Sequence, residues 1–359
     1  MRLAFVAYKI SSIHSGIAIS LVQYSKTLRS MGHDVYIICL QIDLVSRRTF
    51  ELNDIKIVSL TESKVHLYDF RMFTYSKRLA KRMGSLIYKS PLMDLYIVYA
   101  DEALPLIDHR NNSRWAYIFQ GDWSLLNIKE SFTKRHPFLF KMLSLSLSSS
   151  LINHSRLIKK FDVMAANSHF SASLASFLYN IPITRCVYPP LQDRLLKWNP
   201  VPIRDREQYV VAVLRNDYEN GVNLISRIAK TMKVKILGGA SIPNADNLGF
   251  VSEDEFDNVI GRAIAVLSPS NDEYFGRAIV ESLGLGTPVL AFDDCGAKEI
   301  LGGYNCGWLA KDEDSFIDIL QRIFEKRYDS SVLHSCRMRA LDFSSEKICK
   351  GMLRDLILT

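Results

Sequence analysis

Short apolar runs alternate along this chain with stretches in which apolar residues recur every three or four positions, the pattern of strands alternating with amphipathic helices. The runs predict strands at Leu3 to Tyr8, Val35 to Leu40, Asp94 to Tyr99, Trp115 to Phe119, Asp162 to Asn167, Tyr209 to Leu214, Val234 to Gly238, Ala263 to Leu267 and Val289 to Phe292. Between the first two, Ile17, Leu21, Tyr24, Leu28 and Met31 keep helical spacing, and Gly32 follows where a left-handed residue ends a helix. Further helices are expected up to about Tyr179, from Gly276, over Asp312 to Arg327 and over Ser344 to Leu356, with Gly307 to Leu309 as a short closing strand. Strand, crossover helix, strand is the repeating unit of a parallel sheet, in which ligands sit beyond the carboxyl ends of the strands.

The unit from Ser268 to Glu299 carries the densest chemistry. Glu273 lies in the loop after a strand and Glu281 in the second turn of the following helix, with seven residues between them. The amides of Phe275, Gly276 and Arg277 stand at the positive end of that helix, which favours an anion such as a phosphate. Gly276 lets a ligand approach the backbone, and carboxylates accept hydrogen bonds from sugar hydroxyls. Together these suit a nucleotide sugar.

The series Glu273, Phe275, Gly276, Glu281, Gly286, Thr287, Pro288, Val289, then Gly296 and Glu299, resembles the E-x7-E signature of retaining glycosyltransferases of family 4. The resemblance covers nearly the whole chain and is strongest over residues 209 to 310. It implies an α/β fold of two Rossmann-like domains facing a central cleft, the GT-B architecture. The expected domains are an acceptor domain over 1–190, a nucleotide-sugar domain over 191–343 and a terminal helix, 344–359, crossing back to the first. Carried over by position, Glu273 holds the transferred sugar and Glu281 the ribose. Tyr274, Phe275, Gly276 and Arg277 lie on the donor, Gly249 belongs to the loop near the base, and Ser15 and Gly16 occupy the first loop facing the donor phosphates. Arg215 matches a diphosphate-binding cation, whereas Asn220 stands where relatives have a Lys. Gln120 likewise replaces a His at the reacting centre; an amide hydrogen-bonds a hydroxyl but carries no proton or charge. Asp122, the nearest acid, is the candidate for binding or activating an acceptor hydroxyl. Trp115 and Trp123 are candidates for stacking on sugar, although aromatics there are more often core.

Composition narrows the partners. At 359 residues the chain exceeds a single core, so two domains are expected. No apolar run is long enough to span a bilayer, and MRLAFVAY reads as a first strand rather than a signal peptide. Six scattered cysteines without a C-x-x-C pair point to reduced thiols in a cytoplasmic protein, with neither zinc nor disulfides. No G-x-G-x-x-G occurs and no Asp-x-Asp motif suggests a metal site, so no cofactor and no metal is expected. The net charge of +7 is uneven, with +11 over residues 1–194 and −4 over 195–359. Arg71 to Lys89 holds six basic residues and no acidic one, interleaved with apolar side chains. Such a helix suits an anionic membrane at the inner face, or a solvated face packed on its own domain; no motif for nucleic acid accompanies it.

The family resemblance implies transfer of a hexose from a nucleoside-diphosphate sugar to a glycan or lipid-linked hydroxyl acceptor, with retention and without metal. The rival readings are a sugar-nucleotide epimerase of similar fold, and a catalytically silent partner subunit that binds nucleotide, encouraged by Gln120 and Asn220.

Overall fold

The computed structural model describes residues 1–10, 15–62, 84–99, 101–121, 151–214, 221–270, 273–326 and 328–357. Residues 71–83 of the basic stretch, Asp122, Trp123, Arg215 and Asn220 lie outside the described residues. The chain divides into two units, Met1–Tyr188 with Cys349–Thr359, and Pro189–Ile348.

In the first unit seven strands form one sheet: β1 (Arg2–Ile10), β2 (Asp34–Ile42), β3 (Lys56–Glu62), β4 (Leu95–Val98), β5 (Arg114–Phe119), β6 (Val163–Ala166) and β7 (Arg185–Cys186). Their order is β3-β2-β1-β4-β5-β6-β7 and every pair is parallel. Leu95 to Val98 is buried throughout and Arg2–Ile10 nearly so, because helices cover both faces of a parallel sheet and leave no polar face to alternate with. Helix Gly16–Ser30 joins β1 to β2; Ser15 caps it, its Oγ accepting from the Ala18 amide at 3.1 Å, and Gly32 follows with φ +86°. Helix Leu44–Leu52 went unpredicted, yet its start is written locally: the Asp43 carboxylate accepts from the Val45 and Ser46 amides, each at 2.9 Å. Trp115 is fully buried and stacks on Tyr96 with centroids 4.4 Å apart, so it belongs to the core and not to a sugar platform.

The second unit repeats the plan with β8 (Val210–Leu214), β9 (Val234–Gly238), β10 (Asp246–Gly249), β11 (Ala265–Ser268), β12 (Val289–Phe292) and β13 (Gly307–Ala310), in the order β10-β9-β8-β11-β12-β13, again all parallel. One core gathers β8, β9, β11 and β12 with helix Glu313–Lys326, where Phe292 meets Phe316 at 5.2 Å. The last helix, Ser345–Ile357, begins in the second unit, and its end from Cys349 groups with the first.

Candidate active site

Strands β8 and β11 are neighbours, but the chain leaves β8 toward β9 and β11 toward β12, on opposite sides. At such a reversal the loops beyond the carboxyl ends diverge and leave a crevice, the place where open α/β sheets bind ligands. In this unit Gly221 and Pro269 border the crevice. They meet closely: a Cβ on Gly221, whose φ is +89°, would lie 2.4 Å from the Pro269 Cβ and 2.5 Å from its carbonyl oxygen. Only glycine permits both the left-handed backbone and that approach.

Glu273 is fixed at both ends. Its carbonyl accepts from the Gly296 amide at 2.8 Å, tying the loop after β11 to the first turn of helix Cys295–Leu301. Its Oε1 accepts from the Gly276 amide at 3.1 Å, so the carboxylate is folded back over the head of helix Arg277–Gly284. Gly276 caps that helix in the left-handed region, φ +88°, and a Cβ there would press on Ile279 at 2.8 Å. Gly296 is equally tight, since its Cβ would fall 2.7 Å from the Phe275 carbonyl oxygen. Phe275 is buried and packs edge-on against Phe343 at 5.6 Å. Glu273 and Tyr274 remain half-buried on this framework.

Glu281 sits one turn into the same helix, and its Oε1 accepts from Arg277 Nη2 at 2.6 Å; the two side chains are 12% and 19% exposed. The arrangement is not one that helix stability selects. A cation in the first turn opposes the helix dipole, and Arg before Glu is the weaker order of an i,i+4 pair. An anion at this helix end would meet Arg277 and the first-turn amides together.

Other expected site residues fall elsewhere. Gly249 ends β10 with φ +71° and open space around it, and Phe250 beyond it is exposed. Ser15 and Gly16 lie beyond the carboxyl end of β1, at the reversal between β1 and β4 of the first unit. Gln120 follows β5 and is half-buried, its Nε2 3.4 Å from the Ile118 carbonyl oxygen.

Residues 240–338 match the family model described as glycosyl transferases group 1. This group 1 segment contains Gly249, Glu273, Glu281 and the Gly286-Thr287-Pro288 turn. No curated protein sequence matches the chain. Solved structures match it end to end. Sucrose-phosphate synthase from Thermosynechococcus elongatus superposes with a TM-score of 0.76 at 14% identity, covering 98% of this chain and 97% of that one. Anabaena HepE in complex with UDP gives 0.75 at 16%, covering all of both chains. WaaG, a glycosyltransferase involved in lipopolysaccharide biosynthesis, gives 0.69 at 12%, covering 99% of each. The fold is two parallel-sheet α/β domains of the GT-B type.

Three arginines that the sequence showed only as charge hold this scaffold from behind. Arg206 is buried and donates to the carbonyls of Val201, Ala263 and Gly286 at 2.8 to 3.0 Å and to Thr287 Oγ1 at 3.0 Å. Burial lowers its pKa. Thr287 in turn donates to the Ile260 carbonyl at 2.9 Å, so the Gly-Thr-Pro turn is an internal clamp and not a ligand contact. Arg337 donates to the Leu195 carbonyl at 2.8 Å and to Gly284 O, at the carboxyl end of the Glu281 helix. Arg339 donates to Ile300 O and Glu299 O at 2.9 and 3.0 Å. Cations on helix carbonyl ends complement the dipole.

Proposed function

We propose that the protein transfers a sugar from a nucleoside-diphosphate donor to a hydroxyl of a glycan or lipid-linked acceptor, in the manner of the retaining family that its E-x7-E residues resemble. The observation that carries this reading is the Glu273 carboxylate, held by the Gly276 amide at 3.1 Å beside the β8/β11 reversal. There it accepts hydrogen bonds from the transferred sugar, while Glu281 takes the ribose hydroxyls. Arg215, Arg277 and the remaining amides at the helix head receive the diphosphate as its bond to the anomeric carbon breaks; Ser15, Gly16, Tyr274, Phe275, Asn220 and Gly249 complete the donor contacts. Fixed donors of this kind stabilise a leaving anion without a metal. The acceptor oxygen bonds to the anomeric carbon and gives its proton to Asp122 or to the departing diphosphate, with Gln120 on the sugar side. The group 1 match over the donor-binding segment and the UDP held by the similarly folded HepE support the choice of donor. WaaG acts in lipopolysaccharide biosynthesis, which supports a glycan or lipid-linked acceptor.

Among the described residues no helix is long and apolar enough to cross a membrane. Of the basic stretch Arg71 to Lys89, the part up to Arg82 is proposed to rest on anionic lipid at the cytoplasmic face, since Leu86 and Ile87 near its end are buried in the core of the first unit. Reversing the charge of Arg78, Lys81 and Arg82 should weaken binding to anionic vesicles, and equal binding would remove this part of the proposal.

The test is release of free nucleoside diphosphate from a panel of UDP- and GDP-sugars. Glu273→Ala should lower turnover by about a thousandfold or more, the scale of losing one fixed transition-state contact and its ground-state alignment, with the melting temperature preserved. Turnover equal to the wild type would refute the role of Glu273.

A further inference from the structure

The carboxyl ends of β5 and β6 carry a pair of carboxamides. β5 and β6 run in parallel with Phe119 opposite Ala166, which sets Gln120 beside Asn167. The Asn167 main-chain amide donates to Phe119 O at 2.9 Å and continues the ladder. Its side-chain Nδ2 lies 2.9 Å from the Gln120 carbonyl oxygen and 3.5 Å from Gln120 Oε1. Asn167 is only 5% exposed, and among the described residues its buried Oδ1 has no hydrogen-bond partner. A buried acceptor left unsatisfied lowers stability, so a residue kept in that state has another use.

The hydrogen-bond chemistry fixes which way both amides point. A backbone carbonyl only accepts, so the Asn167 atom facing Gln120 O is the nitrogen and not the oxygen. That nitrogen has a second hydrogen, and the Gln120 side-chain atom near it must be the oxygen, since two amide nitrogens would oppose donor to donor. The far end of the Gln120 side chain is therefore Nε2, which spends one hydrogen toward Ile118 O at 3.4 Å and has another to give.

We propose that Asn167 is a positioning residue that sets the sense of the Gln120 carboxamide, so that Gln120 offers an N–H donor, and no acceptor, to an oxygen of the bound sugar. This rests on the glycosyl-transfer reading above, and it gives Gln120 a defined task without a proton to transfer. The same logic explains how a neutral side chain serves at the reacting centre: the direction of its dipole is chosen by a neighbour instead of by pH.

The experiment measures nucleoside diphosphate released from whichever UDP- or GDP-sugar the wild-type protein turns over. Asn167→Asp removes the donor, so the Gln120 amide turns to place Nε2 on the new carboxylate and presents oxygen outward. Gln120→Glu keeps the contact with Asn167 Nδ2 but also presents oxygen. Each should lower kcat by about a hundredfold, the scale of one removed transition-state donor, with donor KM within about threefold. The double variant should fall no further than either single one. Wild-type turnover in Asn167→Asp, a loss confined to KM, or additive losses would overturn the proposal. Should Asn167→Asp fail to fold, Gln120→Glu decides alone, and its retaining wild-type kcat would overturn it. A wild-type protein that neither binds UDP or GDP nor releases them from any sugar would instead refute the functional reading, and this inference with it.

Discussion

The two sheets share one strand order, yet their carboxyl edges are built by different means. In the second unit the edge is set by close approach of the backbone: Gly221 against Pro269, Gly296 against Phe275, and the Gly296 amide bonded to the Glu273 carbonyl oxygen. In the first unit the edge at β5 and β6 is set by side chains, with Asn167 and Gln120 joined by one firm contact and one long one. Backbone contacts hold the main chain of Glu273 in a fixed position because no rotamer change relaxes them. Side-chain contacts choose which group is presented and can be altered by a single atom. Under the proposed function, the second edge would cradle the donor and the first would choose which group is presented to the sugar.

The largest expected effect that would break this contrast is at Arg215. On the proposed function its replacement by Ala should lower kcat/KM for the donor by about a hundred- to a thousandfold, the scale of removing a cation from a developing anion, with unfolding by urea unchanged. Arg206→Met comes next. It strands the Ala263 and Gly286 carbonyls and Thr287 in a buried site, which should cost about 2–4 kcal/mol of stability, read as a lower urea midpoint at constant m-value. Gly296→Ala asks whether the backbone packing is as tight as its geometry, with an expected loss of about 1–3 kcal/mol and weaker nucleotide binding. Asn167→Ala in the first unit should leave donor binding intact, and the two alanines compared side by side sharpen the distinction. If Gly296→Ala were harmless to both stability and binding, the account of the second edge would fail.

The smallest effect concerns pH and the first unit alone. Burial pushes the His154 pKa down to about 4. The folded ring therefore stays neutral while the unfolded chain takes up a proton near the ordinary value of about 6.5. Its contribution is complete above that value and is lost as the pH falls toward 4. Because the ring is partly exposed, the loss should stay below about 3 kcal/mol. Urea midpoints of His154→Gln should fall less steeply than those of the wild type between pH 7 and pH 4.5; parallel slopes would exclude the effect.

The strands were legible because burial on both faces of a parallel sheet leaves continuous apolar runs: Val234–Gly238 and Val289–Phe292 fall where their sequence places them. Helix His169–Tyr179 was equally plain, with Ser168 accepting from the Ser171 amide at 2.9 Å. What escaped the sequence is settled by distant partners. Arg206 reads as one charge among many, yet its bonds to Ala263 and Thr287 span 57 and 81 residues. Asn167 lies 47 residues from Gln120, and nothing local distinguishes it from any strand end. Gly-Thr-Pro was legible as a motif, but its use as a clamp follows only from Arg206 and Ile260 behind it. For the candidate site, Glu273 and Glu281 were legible from their spacing; the Arg277 partner of Glu281 emerged from a spacing that also occurs on ordinary solvated helices.

Hydrogen–deuterium exchange on the whole protein, with and without saturating UDP or GDP, tests most directly whether the β8/β11 edge is the cradle of a nucleoside diphosphate. The account predicts slowed exchange concentrated in the peptides covering 269–281 and the loop ending at Gly221. Protection confined to other segments, with those two unchanged by a nucleotide shown to bind, would contradict it.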